Sequence, residues 1–230
     1  SIHPSEIDIV LTGDPKTIRV VPWAAEPTAQ VIHDCFYDDG RPVPMAPRYV
    51  LRRVLDLYAA KGWRPVVAPE LEFFLVEPNT DPDYPLKPPI GRSGRAEIGR
   101  QAYSIAAVNE FDPLFDDIYA FCEAQDLDID TLIHEAGAAQ MEINLNHGDA
   151  LDLADQAFLF KRTAREAAIR HKMYATFMAK PLAGEPVGTY FLPRADRLAA
   201  RKRWIAFAVP PQGRLTVDAG ALRALTHQGR

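Results

Sequence analysis

Residues 65–78 read PVVAPELEFFLVEP, and the alternation inside this run sets the fold. Leu71, Phe73 and Leu75 fall on one face of an extended chain, and Glu70, Glu72 and Phe74 on the other. The run predicts a strand over Pro65–Val76 with two carboxylates on one side, about 7 Å apart. Two like charges on one face of an apolar strand repel unless a cation or an arginine lies between them. The pattern by itself fits either the solvated face of an edge strand or an ion site.

Two later runs repeat it. Ile129–Glu135 and Ala139–Leu145 are predicted strands. In the second, Met141, Ile143 and Leu145 face one way, and Gln140, Glu142 and Asn144 the other. Glu135 lies seven residues before Glu142, in His134-Glu135-Ala136-Gly137, where Gly137 permits a close backbone approach. The three runs bring Glu70, Glu72, Glu135 and Glu142 and no arginine or lysine. Oxygen-only ligand sets of this kind suit Mg²⁺ or Mn²⁺. Such ions serve phosphoryl transfer, where they offset charge on phosphates. His134 reads as a packing or supporting residue rather than a ligand. Gly91-Arg92-Ser93-Gly94-Arg95 reads equally as an anion cradle or a solvated turn.

Working outward, short strands are predicted over Ile7–Leu11, Ile18–Pro22 and Thr28–His33. A helix opens at Pro47, carries Val50, Leu51, Val54, Leu55 and Tyr58, and is closed by Gly62. Residues 77–100, rich in proline and glycine, form a long irregular loop. A helix follows from Asp112 to about Ala124, with Phe115, Ile118, Tyr119 and Cys122 inward. Asp149 or Asp152 caps another through Arg170, and Tyr174–Met178 is a last strand. After Pro186 the periodic pattern fades.

The composition agrees with a globular α+β chain. Of 230 residues, 47% are hydrophobic and 25% charged, which excludes disordered, collagen-like and coiled-coil classes. No apolar run reaches the roughly 18 residues of a membrane helix, and no signal peptide is visible. Cys35 and Cys122 stand apart, as free thiols of a cytoplasmic protein would. Net charge is -5, unevenly spread. Residues 188–230 hold eight basic and two acidic residues, a net +6, and residues 1–187 carry -11. The acidic part argues against nucleic acid as a partner, and no membrane partner is expected.

Four segments together resemble the glutamine synthetase family: PELEFFLVEP (69–78), IHEAGAAQMEINL (133–145), ADQAFLFKRTAREAA (154–168) and YATFMAKP (174–181). KTIRVVPWAAEPTAQVIHD (16–34) resembles the end of the family's N-terminal β-grasp domain. The loop PPIGRSGRAEIGRQAYS and the seven-residue spacing of Glu135 and Glu142 are similar to the branch that includes γ-glutamylpolyamine synthetases. The resemblance implies part of an antiparallel catalytic sheet with helices, residues 46–187, a β-grasp remnant over 1–45, and a tail over 188–230. It implies Glu70, Glu72, Glu135 and Glu142 as metal ligands. Asp130 stands where the family carries an acid near the nucleotide ribose.

The implied reaction is ATP-dependent amide formation with Mg²⁺ or Mn²⁺. The γ-phosphoryl group of ATP passes to the side-chain carboxylate of glutamate. Ammonia or an organic amine then displaces phosphate. An intact member is expected to be a dodecamer-like homo-oligomer. After ATFMAKP the family carries a glycine-serine loop and a histidine ligand, but here no histidine occurs between His171 and His227. The family's later arginines and last metal-binding glutamate also lack counterparts. This loss coincides with the charge switch near residue 187, as a shifted reading frame or truncation would produce. The chain alone is therefore expected to be inactive. The competing readings are a non-catalytic metal-binding or interaction fragment and a guanidino-kinase-like phosphotransferase.

Overall fold

The computed structural model describes residues 8–79, 81, 83–97, 100–182, 184–185 and the backbone of 207–209. The expectations for Ile7 and for the rest of the 188–230 tail lie outside the described residues.

The chain opens with four short strands, β1 (Val10–Gly13), β2 (Arg19–Val20), β3 (Ala29–Gln30) and β4 (His33–Phe36), paired antiparallel as β1 with β4 and β2 with β3. Helix α1 (Pro47–Ala59) has proline in its first turn, where the missing N–H costs nothing. It ends before Gly62, whose φ of +69° takes the chain out of the helix. Leu51, Leu55 and Tyr58 turn inward, whereas Val50, Val54 and Leu57 are exposed.

The single strand expected over Pro65–Val76 is two: β5 (Arg64–Val67) and β6 (Glu70–Val76). They belong to different sheets. Pro69 has no N–H to give a ladder, so the run breaks there. Helix α2 (Ile105–Asn109), absent from the sequence reading, is five residues long, too short to show periodicity, and is capped by the Ser104 hydroxyl. Helix α3 (Asp112–Ala124) has the expected bounds. Phe115, Ile118 and Cys122 are buried on it, but Tyr119 is partly exposed. Strands β7 (Ile129–His134) and β8 (Gln140–Leu145) are followed by the two-residue β9 (Gly148–Asp149) and by α4 (Ala150–Arg170). The Asp149 carboxylate accepts from the Leu151 and Asp152 amides and caps α4. Strands β10 (Tyr174–Thr176) and β11 (Phe207–Val209) complete the described elements. A three-residue strand at 207–209 gives no alternation to read, and it pairs with β5.

The main sheet is antiparallel, in the order β10-β6-β8-β7. Leu71 pairs with Ile143 and Phe73 with Met141, so the apolar rows of β6 and β8 share one face. Helices α3 and α4 contribute Leu114, Phe115, Ile118, Leu159 and Phe160 to the same core. Rings of Phe73, Phe160 and Phe177 lock it, with centroids 5.3–6.3 Å apart. That face anchors the sheet and leaves the opposite row of β6 and β8 to carry chemistry.

An ion cluster ties the N-terminal strands to the helices. Arg48 on α1 donates to Asp14 and Asp34 at 2.7 Å and to Asp155 on α4 at 3.0–3.3 Å. Arg52 reaches Asp34 at 3.1 Å. The hydrogen bond from Arg48 holds the Asp14 carboxyl below its usual range. Burial pushes the Asp155 carboxyl up, against the pull of the same arginine.

Candidate metal centre

Antiparallel pairing places residues directly opposite with Cβ atoms about 5 Å apart on one face. Glu72 of β6 lies opposite Glu142 of β8. The amide of Glu135, just past β7, donates to the Gln140 carbonyl at 2.8 Å, which brings Glu135 beside the same row. One carboxylate oxygen from each of Glu72, Glu135 and Glu142 lies within 4.8 Å of the others. Glu72 and Glu142 are each only 4% exposed, and Glu135 is half-buried.

The β7–β8 turn makes this convergence possible. A Cβ on Gly137 would stand 2.6 Å from Gln140 Oε1 and 2.7 Å from Phe74 Cε1, so only glycine fits. The Gly137 amide donates to Gln140 Oε1 at 2.9 Å, and Gln140 Nε2 donates to Glu72 Oε2 at 2.7 Å. Gln140 is fully buried and thereby fixes the rotamer of Glu72. Three carboxylate oxygens drawn together out of water fit a hard divalent cation with oxygen ligands. The residues present suit Mg²⁺ or Mn²⁺.

Glu70, placed with the others from the sequence, is exposed at the start of β6 opposite Asn144. It stands outside the group of three. Glu70, Glu72 and Lys161 line one cleft of about 490 Å³, otherwise walled mainly by apolar side chains such as Leu51, Leu153, Phe158 and Phe177. Asp130 is exposed at the irregularity in β7, where Thr131 Oγ1 donates to it at 3.0 Å. Four residues, Thr131 to His134, separate it from Glu135 along β7.

The 91–95 loop does cradle an anion, but an internal one. The Ser93 amide donates to Glu110 Oε2 at 3.0 Å, which holds the Glu110 carboxyl below its usual range. Cys35 and Cys122 are free thiols, and burial pushes Cys122 up to about 12. Among the described residues, no helix is long and apolar enough to cross a membrane. Sequence reasoning missed Gln140 as a support and Glu97, which hydrogen-bonds His134. Gln140 had a signal in sharing the face of Glu142. Glu97, in an irregular loop, had none.

The catalytic-domain family of glutamine synthetase matches residues 44–189. The γ-glutamylputrescine synthetase of Escherichia coli (strain K12) is 38% identical over 167 residues, 70% of this chain and 35% of its own length. A glutamine synthetase of Mycobacterium bovis is 33% identical over 79% of this chain and 40% of its own. The glutamate–isopropylamine ligase of a Pseudomonas species is 31% identical over 76% and 38%. Among solved structures, ligand-free GmaS superposes with a TM-score of 0.68 at 28% identity, over 81% of this chain and 42% of that one. The chain thus spans 35–40% of the length of these curated relatives.

Proposed function

The chain belongs to the glutamine synthetase family, and on that footing we propose that it carries the divalent-metal side of an ATP-dependent ligase site. The reaction joins the side-chain carboxylate of glutamate to an amine nitrogen through γ-glutamyl phosphate. An organic amine is the favoured acceptor, because two of the similar proteins named above are amine ligases. The convergence of Glu72, Glu135 and Glu142 within 4.8 Å carries the reading.

Mg²⁺ or Mn²⁺, held by these three glutamates, would supply charge neutralisation for the transferring phosphoryl group. The protein's own part is preorganisation. The paired strands fix Glu72 against Glu142, Gln140 fixes the Glu72 carboxylate, and the Gly137 turn brings in Glu135. Glu70, which lines the adjoining cleft, is read with Glu72 as the first ligand pair and as a metal ligand beside the group of three. Asp130 is assigned to the nucleotide side. Residues 46–187 form the catalytic portion and residues 1–45 the β-grasp remnant.

A polypeptide of these 230 residues does not turn over by itself in this account. No histidine occurs between His171 and His227, where the resemblance implies a metal ligand. Loss of one cationic or metal contact to a transferring phosphoryl group costs on the order of 10²–10⁵ in rate. The test is phosphate release from ATP with glutamate and a panel of amines. These 230 residues alone are expected at background, whereas the same residues joined to the remaining catalytic segments of a relative are expected to turn over with an amine. Turnover by the 230-residue protein that Glu72→Ala abolishes overturns the claim of inactivity. A folded, completed protein with no activity on any amine or ammonia overturns the ligase reading.

A further inference from the structure

We propose that Glu97 and His134 form a positioning pair that fixes the backbone carrying Glu135. The proposal rests on the reading of Glu72, Glu135 and Glu142 as a metal centre.

Both side chains are buried, His134 fully and Glu97 to 7% exposure. His134 Nδ1 lies 2.7 Å from the carbonyl oxygen of Glu135. A carbonyl only accepts, so Nδ1–H is the donor. On the other side of the ring, Nε2 lies 2.9 and 3.0 Å from the two Glu97 oxygens. Glu97 also accepts from the Ala139 amide. The pair therefore spans the turn, from the end of β7 to the start of β8. Glu135 sits between, with its N–H bonded to Gln140 and its C=O to His134. With both peptide groups pinned, the Glu135 side chain leaves the backbone in one fixed direction.

Two observations mark this as more than a way to close a hairpin. Ala139 and Tyr103 hold left-handed φ values of 52° and 63° without being glycine. Such residues cost of order 1–3 kcal/mol each and persist where the surroundings hold them. Ala139 is held by Glu97, and the Tyr103 amide donates to the His134 carbonyl at 2.8 Å. A turn that needed only to close would place glycine at 139 and avoid burying a fourth carboxylate near three others. The arrangement makes sense when Glu135 must point at one place. Gln140 does the corresponding service for Glu72.

The experiment uses the full 230-residue protein, with Mn²⁺ binding measured by calorimetry for wild type, Glu97→Gln and Glu97→Asp. Residues that orient metal ligands typically change affinity about 10–100-fold when altered. Glu97→Gln is expected to weaken Mn²⁺ by that factor, and Glu97→Asp to recover part of it. The His134 imidazole nitrogen resonances should shift in Glu97→Gln. Wild-type binding with an unaffected Glu97→Gln overturns the positioning role, whatever happens to the melting temperature. No saturable binding to folded wild type fails the metal reading itself and takes the positioning role with it. Should Glu97→Gln not fold, the wild type decides. Saturation with Mg²⁺ is expected to slow exchange of the His134 imidazole protons, and unchanged exchange overturns the proposal.

Discussion

Among the described residues stand two clusters of three carboxylates, built on opposite plans. Asp14, Asp34 and Asp155 converge on guanidinium groups, with Arg48 touching all three and Arg52 two. Glu72, Glu135 and Glu142 converge on one another, with ligand oxygens within 4.8 Å. The first cluster is drawn from a turn, strand β4 and helix α4, and joins them. The second stands on neighbouring strands of one sheet and is aimed at a common point. The number of acids is the same, so it is the position of their oxygens that separates the clamp from the proposed metal centre.

The largest expected effect lies in the clamp. Arg48 is 11% exposed, and removing one member of a buried ion pair costs about 3–5 kcal/mol. Arg48→Met should lower unfolding free energy by that order in a urea titration. Retention of wild-type stability breaks the distinction between the clusters. The proposed metal centre should answer through the ion. Saturating Mn²⁺ should raise the melting temperature of wild type and not that of Glu142→Gln. An equal rise in both would mean that the three glutamates do not share the ion.

A seventh acid, 3.9 Å from Arg64, shows what a capping carboxylate does. Asp149 caps α4, and Asp149→Ala should cost about 1 kcal/mol, read from thermal melts. An unchanged melt would remove that contribution.

The smallest effect concerns pH. Asp14 has its folded-state pKa lowered from 3.8, first by its hydrogen bond from Arg48. A lowered folded value stabilises above the unfolded pKa, and that stability is lost as pH falls through the folded one. Asp155, raised by burial, acts in the opposite sense, favouring the fold as it takes up its proton. The Asp14 contribution should fall on acidification below about pH 4, so Asp14→Asn should flatten the acid side of the stability profile. An equally steep decline in Asp14→Asn would assign it to other groups.

What was legible in the sequence follows the range of the interactions. Helix α3 and the β7 and β8 pair were visible because their patterns are local. Asp112-Pro113 opens the helix, and Met141, Ile143 and Leu145 alternate with Gln140, Glu142 and Asn144. The break at Pro69 was legible in principle but was hidden by the continuous apolar character of residues 65–76. The clamp was not legible, since Arg48 and Asp155 are 107 residues apart. Nor was the separation of Glu70 from Glu72. Two-residue spacing puts both on one face, but only the third strand decides which of them meets Glu135. Glu97 sits in the irregular loop, where no period connects it to His134.

The central claim is that Glu72, Glu135 and Glu142 together hold a divalent cation. Its most direct test is a Mn²⁺ titration of the folded 230-residue protein by electron paramagnetic resonance, wild type beside Glu142→Gln. The account predicts saturable binding to wild type that weakens by at least about 100-fold in the variant, since affinity follows the number of charged ligands. Absence of saturable binding, or equal affinity in a folded Glu142→Gln, would contradict it.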